Sequence, residues 1–301
     1  TMTSRPVEES STTTTVVLAA VGRPSLGECR GPITQEIFEA DSDPRKPIGC
    51  DQPHGAETVM VLDLPAPVAD LAFSTAQLLG DGADRLPPDA LAAFGSLLDQ
   101  CDVALNEHTG APVIPPTGEF NARGSQLAVA WFIPTGKQWT DGARWLRCDA
   151  IINPAGRAGE FAYAGALEGV QQPGVPIPME LRYCLDANND GVACTQPHKL
   201  ERMSVLYSAD SQLDPTAVDA PDPWIRLAQP LTLQMCDSSV LQLLGGHRDD
   251  VLLASNFPNL GEAQQQWAEE ARLRIDCYAG VQDGQLIGTL QDIGPNPLPL
   301  G

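Results

Sequence analysis

The sequence predicts an α+β protein made of two tandem related domains. Each would be a small, mostly antiparallel sheet packed with one main helix and stapled by two disulfides. Three observations predict this. The phrase C-x-Q-P-H-x-x-E occurs twice, at Cys50–Glu57 and at Cys194–Glu201. Eight cysteines recur in matching order around the two copies, with no C-x-x-C pair among them. At 301 residues and 43% hydrophobic content, the chain is long enough to fill two cores of ordinary size.

Residues 1–23 are rich in Ser, Thr and Glu and read as a flexible linker, although Val16–Val21 has the composition of an early strand. The first domain spans 24–154. Cys29 opens it, and after Cys50 the run Glu57–Leu64 reads as a strand. Pro87 and Pro88 then introduce a helix over Leu86–Asn106. Its apolar positions Leu91, Phe94, Leu97, Leu98, Cys101 and Leu105 recur every three or four residues, which places Cys101 on the buried stripe. Gln126–Ile133 reads as a strand ending at Pro134, Trp139–Arg144 as a helical turn or loop, and Trp145–Ile152 as a strand carrying Cys148.

Residues 155–177 read as a linker or extra strand, and the second domain, 178–290, repeats the order. Cys184 and Cys194 come early, followed by a strand at Met203–Tyr207 and a helix at Leu231–Leu244 carrying Cys236. Strands at Val251–Ser255 and Leu273–Tyr278 follow, the latter with Cys277. Trp267 and Arg272 keep the spacing of Trp139 and Arg144. Residues 291–301 form a Pro/Gly-rich tail.

Matching order pairs Cys29 with Cys50, Cys101 with Cys148, Cys184 with Cys194, and Cys236 with Cys277. Four cysteines allow three connectivities per unit, and spacing alone leaves the others open. Thiols scattered this widely suit an oxidising compartment, so the chain is expected outside the cytoplasm. No apolar run approaches the ~20 residues that span a bilayer, and the N-terminus lacks a signal-peptide pattern. An upstream transmembrane anchor or signal is therefore expected. Eighteen basic against 39 acidic residues leave a net charge of -21. That charge disfavours nucleic acid and anionic membrane surfaces as partners.

Gly27-Glu-Cys29, Cys50–Glu57, the helical Cys101, Trp139-Thr-Asp-Gly142-Ala-Arg144 and Cys148 together resemble the actinobacterial septum-formation family. The second unit keeps Cys194–Glu201, Cys236, Trp267, Arg272 and Cys277. It has Glu270 in place of the glycine and lacks the Gly-x-Cys opening. The resemblance implies a membrane-anchored or secreted cell-envelope protein with a link to division.

Pro53, His54 and Glu57, with Pro197, His198 and Glu201, admit two readings. A His and a Glu three apart on a turn share a face and suit a metal or acid/base work. Alternatively, proline sets the turn and the imidazole holds the chain by hydrogen bonds, the reading favoured because no further ligand cluster is visible. His108 and His247 have no counterparts in the opposite unit. Asp186, Asn188 and Asp190 before Gly191 match the opening of a calcium loop, but Pro197 stands where its bidentate acid belongs. A tight turn is the simpler reading. Trp139 and Trp267 fit buried caps on small sheets better than sugar-stacking platforms.

The case for an enzyme is thin, with no nucleophile elbow, phosphate loop or dinucleotide fingerprint. The expected function is a non-catalytic binding or scaffolding ectodomain whose partner is an envelope protein or cell-wall component, with no cofactor unless the loop takes calcium. The alternative is a metal-assisted hydrolase of cell-wall peptide or glycan using the His/Glu pairs.

Overall fold

Two antiparallel sheets, each backed by one long helix, organise the chain in a computed structural model describing residues 22–77, 85–112, 120–153 and 160–301. The expected strand at Val16–Val21, most of the opening linker and the boundary at Pro154 lie outside the described residues. The first stretch comprises β1 (Cys29–Arg30), α1 (Gln35–Phe38), β2 (Pro47–Ile48) and β3 (Ala56–Asp63). Then come α2 (Ala66–Ala69), α3 (Phe73–Ala76), α4 (Pro88–Thr109), β4 (Phe120–Arg123), β5 (Leu127–Phe132), α5 (Gly136–Thr140) and β6 (Trp145–Ile152). The remainder comprises β7 (Tyr183–Leu185), β8 (Gly191–Ala193), β9 (Leu200–Ser208), α6 (Pro221–Leu244), β10 (Leu252–Asn256), α7 (Leu260–Glu270) and β11 (Leu273–Gly280).

The first sheet has the order β2-β1-β3-β6-β5, and the second β10-β11-β9-β7-β8. Read from its other edge, the second runs β8-β7-β9-β11-β10. A strand with the opening cysteine, the motif strand, the strand with the closing cysteine and an edge strand therefore follow in the same sequence in both. In both sheets the opening cysteine lies opposite the motif glutamate: Cys29 pairs with Glu57 and Cys184 with Glu201.

Helix α4 starts with Pro88 in its first turn and stops at Gly110, whose φ of 72° is left-handed and favours glycine. Its buried stripe is Ala90, Phe94, Leu97, Cys101 and Ala104. Leu91, expected on that stripe, is 39% exposed, and Ala90 takes the buried position beside it.

Helix α6 begins at Pro221 rather than Leu231 and passes through Pro230. A proline inside a helix costs about 3 kcal/mol. Trp224, wholly buried upstream of it, contributes a comparable ~3 kcal/mol or more. Packing overrides the local penalty, and the stripe Trp224, Ala228, Thr232, Cys236, Val240 and Leu244 faces the sheet.

Several short elements, among them α1, α2, α3, β2 and β8, have no counterpart in the sequence-based expectations, and neither do two longer ones. Helix α7 has its N-cap at Asn259, whose side chain accepts from the Glu262 amide. Strand β4 leaves the first stretch and pairs with β9 of the second sheet, Phe120 opposite Tyr207 through Arg123 opposite Ser204. Downstream of β6, Phe161 and Tyr163 form bridges with Ile33 and His54, and Leu167, Val170 and Ile177 are buried. Downstream of β11, Leu286 bridges both His198 and Leu300, and Leu290 is fully buried.

The disulfides join Cys29 to Cys50, Cys101 to Cys148, Cys184 to Cys194 and Cys236 to Cys277. Two tie a helix to the sheet beneath it, α4 to β6 and α6 to β11. These enclose 47 and 41 residues, against 21 and 10 for the other two. Chain entropy makes the longer crosslinks the stronger ones, about 4 against about 3 kcal/mol. Replacing Cys101 and Cys148 together by alanine is expected to lower the unfolding free energy more than replacing Cys184 and Cys194 together. Denaturant titration of the two double variants checks the order.

Candidate functional site

The motif places a histidine and a glutamate inside the protein. Pro53 fixes the turn before β3, and the Gln52 amide donates to the Gly49 carbonyl at 3.0 Å. His54 is 0% and Glu57 5% exposed. His54 Nδ1 lies 2.8 Å from the Gln52 carbonyl, which can only accept, so Nδ1 carries a proton. Nε2 lies 2.8 Å from Glu57 Oε1, and an ionised carboxylate also only accepts. The ring is therefore an imidazolium paired with a carboxylate. The hydrogen bond to Glu57 pushes the His54 pKa up, against the opposing effect of burial.

Glu57 has two more donors. His108 Nε2, on the last turn of α4, lies 2.7 Å from Oε2, and the Leu167 amide donates to Oε1 at 2.8 Å. Burial opposes the charge, but bonds from His108, His54 and Leu167 outweigh it and hold the carboxyl down to about 2. His108 joins this site although nothing in its sequence position links it to Glu57; no periodic signal spans two elements this far apart.

The second copy is built differently. His198 Nδ1 meets the Gln196 carbonyl at 2.8 Å, as in the first copy. Its Nε2 is buried with no hydrogen-bond partner among the described residues, and no bond joins it to Glu201. Glu201 instead receives Arg182 NH1 at 2.9 Å, the Thr289 hydroxyl at 2.9 Å and the Leu290 amide at 2.7 Å. Common to both copies are the carbonyl clamp on the histidine and a carboxylate that anchors the segment downstream of the sheet. The His–Glu contact itself is not repeated.

Cys29 Sγ, His54 and Glu57 offer ligand atoms within 4.8 Å of one another, but that sulfur is bonded to Cys50. Trp139 is 5% exposed, and the Arg144 guanidinium lies 4.2 Å from its ring centre, so this tryptophan offers no open platform. Trp267 packs against the second core, and Arg272 stacks on Tyr207 at 4.7 Å. Asp186 Oδ1 accepts from the amides of Asn188 at 2.7 Å and Asp190 at 2.9 Å, closing the β7–β8 hairpin. Asn189 takes the left-handed conformation there, with φ 66°.

A buried ionic cluster also escaped the sequence reading. Arg147 NH2 lies 2.7 Å from Asp43 Oδ2 and 2.9 Å from Asp149 Oδ2. The Thr58 hydroxyl donates to Asp149 at 2.8 Å and accepts from Arg30 at 2.9 Å. Burial pushes the Asp149 pKa up. The signal was present: Arg147 and Asp149 flank Cys148, so strand alternation turns both away from α4.

These features define a disulfide-stapled, two-sheet α+β protein whose motif histidines and glutamates are buried in its interior. A family model described as septum formation matches residues 83–277, more than half of the chain. The chain belongs to the septum-formation family. Neither the comparison with curated proteins nor that with solved structures returns a match.

The two shifts in the first copy set a pH window. Glu57, lowered from 4.5 to about 2, adds stability above its unfolded value that is lost as pH falls toward 2. His54, raised above 6.5, adds stability below its unfolded value that is lost as pH rises through the raised one. The substitution His54→Gln is expected to cost about 2–3 kcal/mol at pH 6 and to flatten the alkaline slope. Denaturation across a pH series checks both effects.

Proposed function

We propose that this chain is a non-catalytic extracytoplasmic binding or scaffolding ectodomain of the cell envelope, serving division or wall assembly. Family membership gives the broad division or envelope role, and four disulfides are consistent with a location outside the cytoplasm. None of the described helices is long and apolar enough to cross a membrane. The corresponding strand orders support an origin by duplication of one unit.

The observation that carries the non-catalytic reading is the burial of the motif. His54 and His198 are 0% exposed, and both glutamates hold backbone amides. A hydrolase needs its acid/base group within reach of substrate and water. These groups instead fix the chain path. The hairpin at Asp186, by the same logic, is a turn first.

Full-length protein carrying photocrosslinkers on its surface is expected to capture envelope partners or wall material in dividing cells. The purified chain is expected to release no soluble fragments from isolated walls. Fragment release by the wild type that a folded Glu57→Gln variant lacks would overturn this reading. Asp186→Ala is expected to cost about 1 kcal/mol whether or not calcium is present, as read by thermal melts in both conditions.

A further inference from the structure

Every cysteine of this chain except Cys50 is at most 1% exposed. Cys50 is exposed, in the turn that follows β2. The corresponding bridge of the second half, Cys184–Cys194, has both ends buried, so exposure does not come with this bridge as such. A thiolate can break a disulfide only if it reaches one of the two sulfurs. Cys29–Cys50 is therefore the bridge that a protein thiol can meet without unfolding the chain, and the sulfur it meets is that of Cys50.

The other sulfur would leave into a polar site already built. Cys29 Sγ, a ring nitrogen of His54 and a carboxylate oxygen of Glu57 all lie within 4.8 Å of one another. His54 is an imidazolium, held between the Gln52 carbonyl and Glu57. A neighbouring cation stabilises a thiolate, and a stabilised thiolate leaves faster. The Glu57 charge opposes this, but it is met by His54, by His108 at 2.7 Å and by the Leu167 amide at 2.8 Å. Cys184 belongs to no such cluster among the described residues.

Opening the bridge would leave the enclosed segment anchored. Asp43 within it lies 2.7 Å from Arg147 and 2.9 Å from Arg45, and Ile33 is wholly buried. Neither Cys29 nor Cys50 belongs to a hydrophobic core cluster, whereas Cys101 and Cys148 do.

We infer that Cys29–Cys50 is an exchangeable disulfide, opened at Cys50 by a dithiol oxidoreductase, with Cys29 leaving as a thiolate beside the His54 imidazolium. The first thiolate of the dithiol bonds to Cys50 Sγ, and the bond between Cys50 and Cys29 breaks with its electron pair going to Cys29. The second thiolate of the dithiol then bonds to the first and releases Cys50. The dithiol is oxidised to a disulfide, and its two electrons and two protons end on Cys29 and Cys50. The two redox states differ in whether the motif turn is tied covalently to β1.

The folded full chain, incubated with reduced thioredoxin whose second active-site cysteine is replaced by serine, tests this when adducts are mapped by mass spectrometry without reduction. One mixed disulfide is expected, on Cys50. In dithiothreitol followed by iodoacetamide, Cys29 and Cys50 are expected to be labelled at least about tenfold faster than the other six cysteines, with an unchanged circular dichroism spectrum. His54→Gln is expected to slow adduct formation several-fold, whereas loss of the fold would speed labelling of all eight cysteines. No adduct with the folded chain, an adduct on Cys29, labelling of all four bridges together, or an adduct formed as fast in His54→Gln as in the unsubstituted chain each overturns the assignment.

Discussion

A carboxylate buried beside a disulfide must be surrounded by donors, and that requirement shapes both halves of this protein. Glu57 and Glu201 stand opposite the opening cysteines, at the sheet position where each chain leaves its motif turn. Each takes a backbone amide from a segment far downstream, Leu167 or Leu290, and so draws that segment over the sheet. An unpartnered charge at this depth would cost several kcal/mol. The downstream segments are thereby part of the fold rather than connectors, and their leucines are fully buried.

The two halves answer the same requirement with different cations. The first uses imidazoles from His54 and His108, the second a guanidinium from Arg182. The hydrogen bond to Glu57 raises the His54 pKa, so the first half carries a contribution at this position that is lost as pH rises through the raised value. His198 has the same carbonyl clamp as His54, but its Nε2 has no acidic partner among the described residues.

Strand β4 joins the halves more tightly than tandem domains on a linker would be joined. It leaves the first half after α4 and hydrogen-bonds along β9, opposite residues 204–207. Arg123 at its end donates to the Gln291 side chain, and Arg202 reaches the Ser125 carbonyl. Those contacts bring α4 and β5 up to the uncovered face of the second sheet. The cleft of about 1430 Å³ between them is lined by residues of both halves, α4 and β5 on one side and β9 and β11 on the other.

What the sequence determined by itself is whatever depends on local periodicity and repeated order. The helical stripe around Cys101, the strands carrying Cys148 and Cys277, and the parallel course of the two units follow from spacing, since side-chain direction in a helix or strand is set by its period. Tertiary structure alone decided what depends on contacts between distant segments. It extended α6 through Pro230 because burying Trp224 outweighs the lost hydrogen bond. It moved β4 into the other sheet, brought His108 to Glu57 and set Arg182 where a histidine would otherwise pair. Such contacts leave no periodic trace, because each is selected by the shape and charge of a site that exists only once the chain has folded.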